Sequence, residues 1–421
     1  MSGTRVLAGE SGRVQGAGPA LGLLLASQLI FNVGFFSVVP FLAVSMRGDF
    51  GMGALAIGVV LGARTFSQQG MFLFGGVLAD RWGARQLMVS GCLVRVAGYL
   101  VLAWAADFPS FLAGAIITGI GGALFSPALE SLVGTAPSTN KGNAASGTKP
   151  TLFALLVIFG EIGAVAGPVL GAMLLGVGMD AALVAGAAIF ALMALVFLRW
   201  IPGTDARSQA AISQGGKRDG AGTWSCLRER RFVLFAVFYA ANLLAYNQLY
   251  LGLPVELERS GAGVGALAGV FVYVSLLTVA LQWPIAGFMR RLGDKAALTL
   301  GFSLQAAGFL LLAVLATREA PEGVSLAPAA LMVTALALGH MCVTPTAMGL
   351  VAGFAHGHPA GAYYGLLATC GGIAVLAGNA LLGPLYEHAY QPSLAAAAPW
   401  AALALLAATS AVAIRRFVPG R

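Results

Sequence analysis

The chain has 421 residues, of which 58% are hydrophobic and only 10% charged, whereas an ordinary soluble domain carries about 25% charged residues. No soluble core needs that much apolar surface, which excludes a water-soluble globular domain. The formal net charge of +8 is concentrated in loops on one side of a membrane, as set out below, so it argues for topology and against nucleic-acid binding.

Apolar runs long enough to cross a hydrocarbon layer of roughly 30 Å recur along the chain. Helices satisfy their own backbone hydrogen bonds in lipid, so an all-α membrane protein follows. In chain order the twelve predicted spans are Gly18 to Met46, Gly53 to Ala79, Gln86 to Ala106, Ser110 to Ala136, Lys149 to Leu175, Ala181 to Ile201, Phe232 to Leu257, Val264 to Met289, Ala296 to Thr317, Pro328 to Ala355, Ala362 to Tyr386 and Ala398 to Phe417. One connection is long, polar, Gly-rich and basic. It divides the chain into an N-terminal six-helix bundle (1–201), a cytoplasmic linker (202–231) and a C-terminal six-helix bundle (232–421).

With both termini on the cytoplasmic side, nineteen Lys and Arg fall in cytoplasmic segments against three outside, Arg47, Arg259 and Arg318. That excess predicts the orientation and a multi-pass protein of the cytoplasmic, or inner, membrane. The first span is too long for a removable signal peptide. Cys92, Cys226, Cys342 and Cys370 have neither paired nor metal-ligand spacing and read as small buried residues.

The halves carry matching punctuation at a shift near 210 residues. Gly83 and Arg85 match Gly293 and Lys295; Gly121 and Pro127 match Gly339 and Pro345; Gly167 and Pro168 match Gly378 and Asn379; and Pro40 matches Pro254. Charges within spans are functional candidates because each is costly in lipid. Arg64, Arg95 and Glu161 all fall about halfway along their spans, so Glu161 is expected to face protein near one of the arginines. Two roles fit it: a proton carrier, if motion separates the pair, or the permanent partner in a buried ion pair. Glu130, near the cytoplasmic end of the fourth span, is expected to reach Arg81 or Arg85; it and His340 in the tenth span are further proton-coupling candidates.

The run Gly76, Val77, Leu78, Ala79, Asp80, Arg81, Trp82, Gly83, Ala84, Arg85 closely resembles the loop signature of the major facilitator superfamily between its second and third helices. Gly83 permits the tight turn, Asp80 can face a helix N-terminus and the arginines can anchor at headgroups. A generic basic turn that only sets topology is the alternative. In the fifth span Gly163, Gly167, Pro168 and Gly171 resemble the glycine-proline signature of the proton-coupled drug exporters of that superfamily; a plain packing seam is the alternative. The resemblance implies a small-molecule transporter rather than an enzyme, moving substrate and protons as a monomer in a lipid bilayer. It also implies that the first, fourth, seventh and tenth helices line a central cavity, which directs attention to Gln28, Asn32, Tyr239, Asn242, Tyr246 and Asn247. These amides and phenols suit bulky, weakly polar compounds, or else bond neighbouring helices.

Two departures bear on the mechanism. Ala115 stands where relatives usually carry an arginine before the glycines of the fourth helix, and the first span holds no Asp or Glu. Export in exchange for protons is the leading expectation, and uptake or exchange of a nutrient or metabolite by the same fold is the alternative. No cofactor or metal is expected: the histidines do not cluster, and Gly142 to Lys149, the nearest thing to a phosphate loop, has Thr148 where the lysine belongs and no preceding strand.

Overall fold

A computed structural model describes residues 21–72, 78, 82–135, 152–201, 225–262, 264–318, 325–355 and 360–418. The described residues form helices and turns without a strand. The main helices are α1 (Leu21–Phe36, continuing as Val39–Gly48), α2 (Ala54–Gln69), α3 (Ala84–Ala103), α4 (Phe108–Thr135), α5 (Leu152–Leu175) and α6 (Met179–Trp200). They are followed by α7 (Arg230–Asn247, continuing as Gly252–Arg259), α8 (Val264–Leu292), α9 (Asp294–Leu315), α10 (Ala327–Phe354), α11 (Ala360–Tyr386) and α12 (Ala398–Ala413). Among the described residues eleven helical stretches are long and apolar enough to cross a bilayer. The twelfth, α2, has 16 residues and ends at Gln69, three residues before the undescribed segment 73–77.

Two of the helices are broken at matching places. Pro40 and Pro254 each lack an N–H for the preceding turn, so α1 is interrupted at Ser37–Val38 and α7 at Gln248–Leu251. The repeat extends to the turns. Gly83 and Gly293 both sit at helix N-caps with φ 86° and ψ 146° or 156°, a conformation essentially confined to glycine.

Packing follows the same order. The pairs α1·α5, α1·α6, α2·α4, α3·α4 and α3·α6 recur six helices later as α7·α11, α7·α12, α8·α10, α9·α10 and α9·α12. The most extensive contacts between a helix before residue 202 and one after it are α2·α11 and α5·α8. Outside, the polarity is inverted: Leu192, Leu195, Leu381 and Leu405 are 63–75% exposed, as a surface that faces lipid requires.

Candidate functional site

Halfway along the bundle, side chains from α2, α5, α7, α8 and α10 converge. Glu161 of α5 is half-buried and lies within hydrogen-bonding reach of Ser275 in α8. Its carboxylate is an electrostatic neighbour of the Tyr246 and Tyr250 phenols of α7. Arg64 of α2 is an electrostatic neighbour of Tyr250 as well.

The expected pairing of Glu161 with Arg64 or Arg95 is not what the helices make. Among the described residues Glu161 forms no ion pair. Both arginines are instead held by rings. Arg64 donates from Nη2 to Gln68 Oε1 at 2.6 Å, and its guanidinium lies 4.4 Å from the centre of Phe35. Arg95, only 1% exposed, lies 4.2 Å from the ring centre of Phe31 and 5.1 Å from that of Phe190. Desolvated cation–π contacts of this kind are worth about 2 kcal/mol, which offsets part of the burial cost that a carboxylate would otherwise have to meet.

The glycines of α4 make room for these groups. A Cβ at Gly119 would come within 2.4 Å of the Arg64 carbonyl, one at Gly121 within 2.6 Å of Arg95 Cγ, and one at Gly122 within 2.7 Å of Arg95 Nη2. So although α4 carries Ala115 in place of an arginine, the Arg95 guanidinium of α3 lies against it, together with the backbone of Arg64 in α2. The repeat has the same construction: Gly339 of α10 would meet Gln305 Cγ at 2.6 Å, and Gln305 is fully buried. Arg95 and Gln305 thus occupy equivalent seats, although only Arg95 was recognisable in the sequence.

From Gln305 a polar chain leads to the centre. Its Nε2 donates to Asn242 Oδ1 at 2.7 Å. Asn242 Nδ2 donates to Thr344 Oγ1 at 3.0 Å and lies 3.2 Å from His340 Nδ1. His340 stacks on Tyr246 with ring centres 4.2 Å apart, and Tyr239 adjoins Asn242 and Thr344. Towards the end of the bundle where α1 meets α2, Phe35, Phe36, Tyr250 and Phe271 form consecutive edge-to-face or tilted contacts.

The remaining amides tie helices together. Gln28 lies 3.4 Å from Asn32, and Asn32 donates to the Gly160 carbonyl beside Glu161 at 2.8 Å, tying α1 to α5. Asn247 is buried; it donates to Thr65 of α2 at 3.2 Å and accepts from Asn379 of α11 at 2.9 Å. Gln248 and Tyr386 extend that network. Asn247 therefore joins helices rather than facing open space.

Gly163, Gly167 and Gly171 bring α5 against α1, where added Cβ atoms would meet Leu29 O at 2.5 Å, Phe36 Cβ at 2.6 Å and Ser37 O at 2.3 Å; Pro168 is buried beside them. In the repeat, a Cβ added at Gly378 would meet the Leu244 side chain of α7 at 2.5 Å. Of the loop motif, Gly83 makes the turn described above, and Arg85 donates to the carbonyl of Leu198 near the C-terminus of α6. Gly76, Asp80 and Arg81 lie outside the described residues, as does the side chain of Glu130 in α4. No group of three or more metal-type ligands occurs among the described residues.

The comparisons with known proteins agree with this architecture. Residues 24–379 match the family model of the Major Facilitator Superfamily. The uncharacterized MFS-type transporter Rv0849 of Mycobacterium tuberculosis is 32% identical over 87% of this chain and 86% of its own length. Multidrug resistance protein MdtH of Shigella dysenteriae is 27% identical over 91% of this chain and 90% of its own. Among solved structures, the nucleoside transporter NupG superposes with a TM-score of 0.71 at 15% identity, covering 95% of this chain and 99% of that one. A POT family transporter in complex with 5-aminolevulinic acid superposes with a TM-score of 0.74 at 13% identity, covering 95% and 96%. At such identities the structural likeness concerns the fold. A bundle with this packing order, matched by the family model over most of its length, belongs to the major facilitator superfamily: the chain is a multi-pass membrane transporter of small molecules and not an enzyme.

Proposed function

We propose that this transporter exports hydrophobic or weakly polar small molecules from the cytoplasm in exchange for protons, by alternating access. The observation that carries the reading is Glu161: a half-buried carboxylate on α5 with no fixed cation among the described residues, set against α8 and the tyrosines of α7. A carboxylate locked in an ion pair keeps its charge as the protein moves. One whose neighbours are a serine and two phenols changes its surroundings whenever α5 and α8 separate, and can take up a proton in one state and release it in the other. One proton moving down 100 mV supplies about 2.3 kcal/mol, enough for roughly fifty-fold accumulation of a neutral compound.

In this reading residues 1–201 and 232–421 are the two rocking bundles, joined by the linker 202–231. Both termini are cytoplasmic, the membrane is the inner one and the working unit is the monomer. Gln28, Asn32, Tyr239, Asn242 and Tyr246 present polar groups to substrate among the phenylalanines. Gly76, Asp80, Arg81, Gly83 and Arg85 form the cytoplasmic hinge, while Glu130 and His340 are secondary proton candidates. The name of the MdtH relatives supports a drug-like substrate. The test is substrate-evoked proton movement in proteoliposomes screened over a compound panel, alongside binding of the same compounds to purified protein. Glu161→Gln should abolish the proton signal and retain binding; coupled flux that survives in Glu161→Gln places the proton path elsewhere.

A further inference from the structure

At the end where α1 meets α2, a cavity of about 270 Å³ opens that shares no lining residue with the central site. Val44 and Arg47 of α1, Leu251, Pro254 and Glu258 of the α7 region, and Tyr390 beyond α11 line it. Its walls are mostly apolar, and Arg47 occupies its polar corner. The guanidinium lies 3.7 Å from the centre of the Tyr390 ring, 3.5 Å from Glu258 and 3.6 Å from Glu387. Glu387 in turn accepts from the backbone N–H of Ala54. The neighbouring Glu256 is matched by its own bidentate partner, Arg259, at 2.7 and 3.0 Å. One guanidinium therefore faces two carboxylates and an aromatic ring, and among the described residues one negative charge is left over beside an apolar cavity.

We propose that this corner is a second ligand site, selective for organic cations with an apolar body, and that Arg47 is its built-in occupant. An aromatic face with flanking carboxylates recognises a diffuse positive charge, and the apolar wall accepts the rest of the molecule. Arg47, Glu258 and Glu387 have side chains 30%, 56% and 40% exposed, so they hold one another weakly. An arriving cation can satisfy the unmatched carboxylate and displace Arg47 from Tyr390. Because Arg47 joins α1 to α7 and to the turn after α11, displacement also loosens that end of the bundle.

The experiment uses full-length purified protein carrying Glu161→Gln, which removes the central carboxylate and makes the outcome independent of the proton reading. Binding of tetraphenylphosphonium is compared with that of the neutral, similarly shaped triphenylphosphine oxide. Glu258→Gln, at a largely exposed position that folding tolerates, should weaken tetraphenylphosphonium binding by about tenfold and leave the oxide unchanged. Arg47→Gln should tighten binding of the cation alone. If neither substitution changes the preference for the cation, or if Arg47→Gln shifts both compounds alike, the cluster is a mechanical latch only and the site does not exist.

Discussion

The two seams that join the earlier helices to the later ones, α2·α11 and α5·α8, exchange places under the internal repeat, yet they are built differently. On α2·α11 glycines bring backbones together. An added Cβ would meet Asn379 O at 2.5 Å from Gly58, Leu376 Cα at 2.9 Å from Gly62 and Leu55 Cα at 2.6 Å from Gly383. Amides then bridge the same region, from Thr65 through Asn247 to Asn379. On α5·α8 no glycine of either helix touches the other: those of α5 face α1, and Gly265 and Gly269 of α8 have nothing within 4 Å. That looser seam is where Glu161 and Ser275 meet. Close backbone packing gives one seam the character of a pivot, and its absence leaves the other free to alter the surroundings of a carboxylate.

Substitutions at the glycines should separate the seams most clearly. Gly58→Leu drives a side chain into backbone that cannot give way, at a cost of about 1–3 kcal/mol or more. It should lower the thermal unfolding midpoint in detergent by several degrees and abolish transport; a wild-type midpoint would remove the pivot. Gly167→Leu attacks the α1·α5 seam, where the contacts include Val33 O at 3.0 Å. Transport should fall severalfold at equal surface expression, and unchanged transport would reduce the fifth-helix motif to ornament. Asn379→Ala removes one of the hydrogen-bond partners of Asn247 and one of Gln248, a loss of about 1 kcal/mol in membrane helices, to be read as a modest drop in unfolding midpoint. The smallest effect belongs to Gly269→Ala on the open side of α8, which should stay within about 0.5 kcal/mol of the parent protein; a large destabilisation there would mean that α8 is packed as tightly as α2.

The spans were legible because hydropathy over twenty residues has few other physical causes, and the turns because Gly83 and Gly293 need a conformation that other residues avoid. Even the repeat could be read from glycines and prolines. What the chain concealed was direction around each helix. A helix that is apolar on every side carries no amphipathic stripe, so sequence placed Glu161, Arg64 and Arg95 at one depth but not on their faces. The arginines turned to Phe31, Phe35 and Phe190, and the carboxylate turned to α8. Asn247, with its amide on α2 and α11, takes the second of the two roles the sequence leaves open for it, bonding neighbouring helices. Arg47 counted in the sequence only as a topological charge, since Glu258 and Glu387 lie far along the chain and leave no local spacing to detect.

The most direct test of Glu161 as the coupling group compares two assays on one variant in proteoliposomes. Counterflow exchanges labelled for unlabelled substrate without net proton movement, whereas accumulation against a gradient requires an imposed pH difference. Glu161→Gln keeps the shape and hydrogen-bonding capacity of the side chain but cannot titrate, so it should retain counterflow near the wild-type rate and lose pH-driven accumulation. Accumulation that persists in Glu161→Gln, with counterflow intact, would contradict the account.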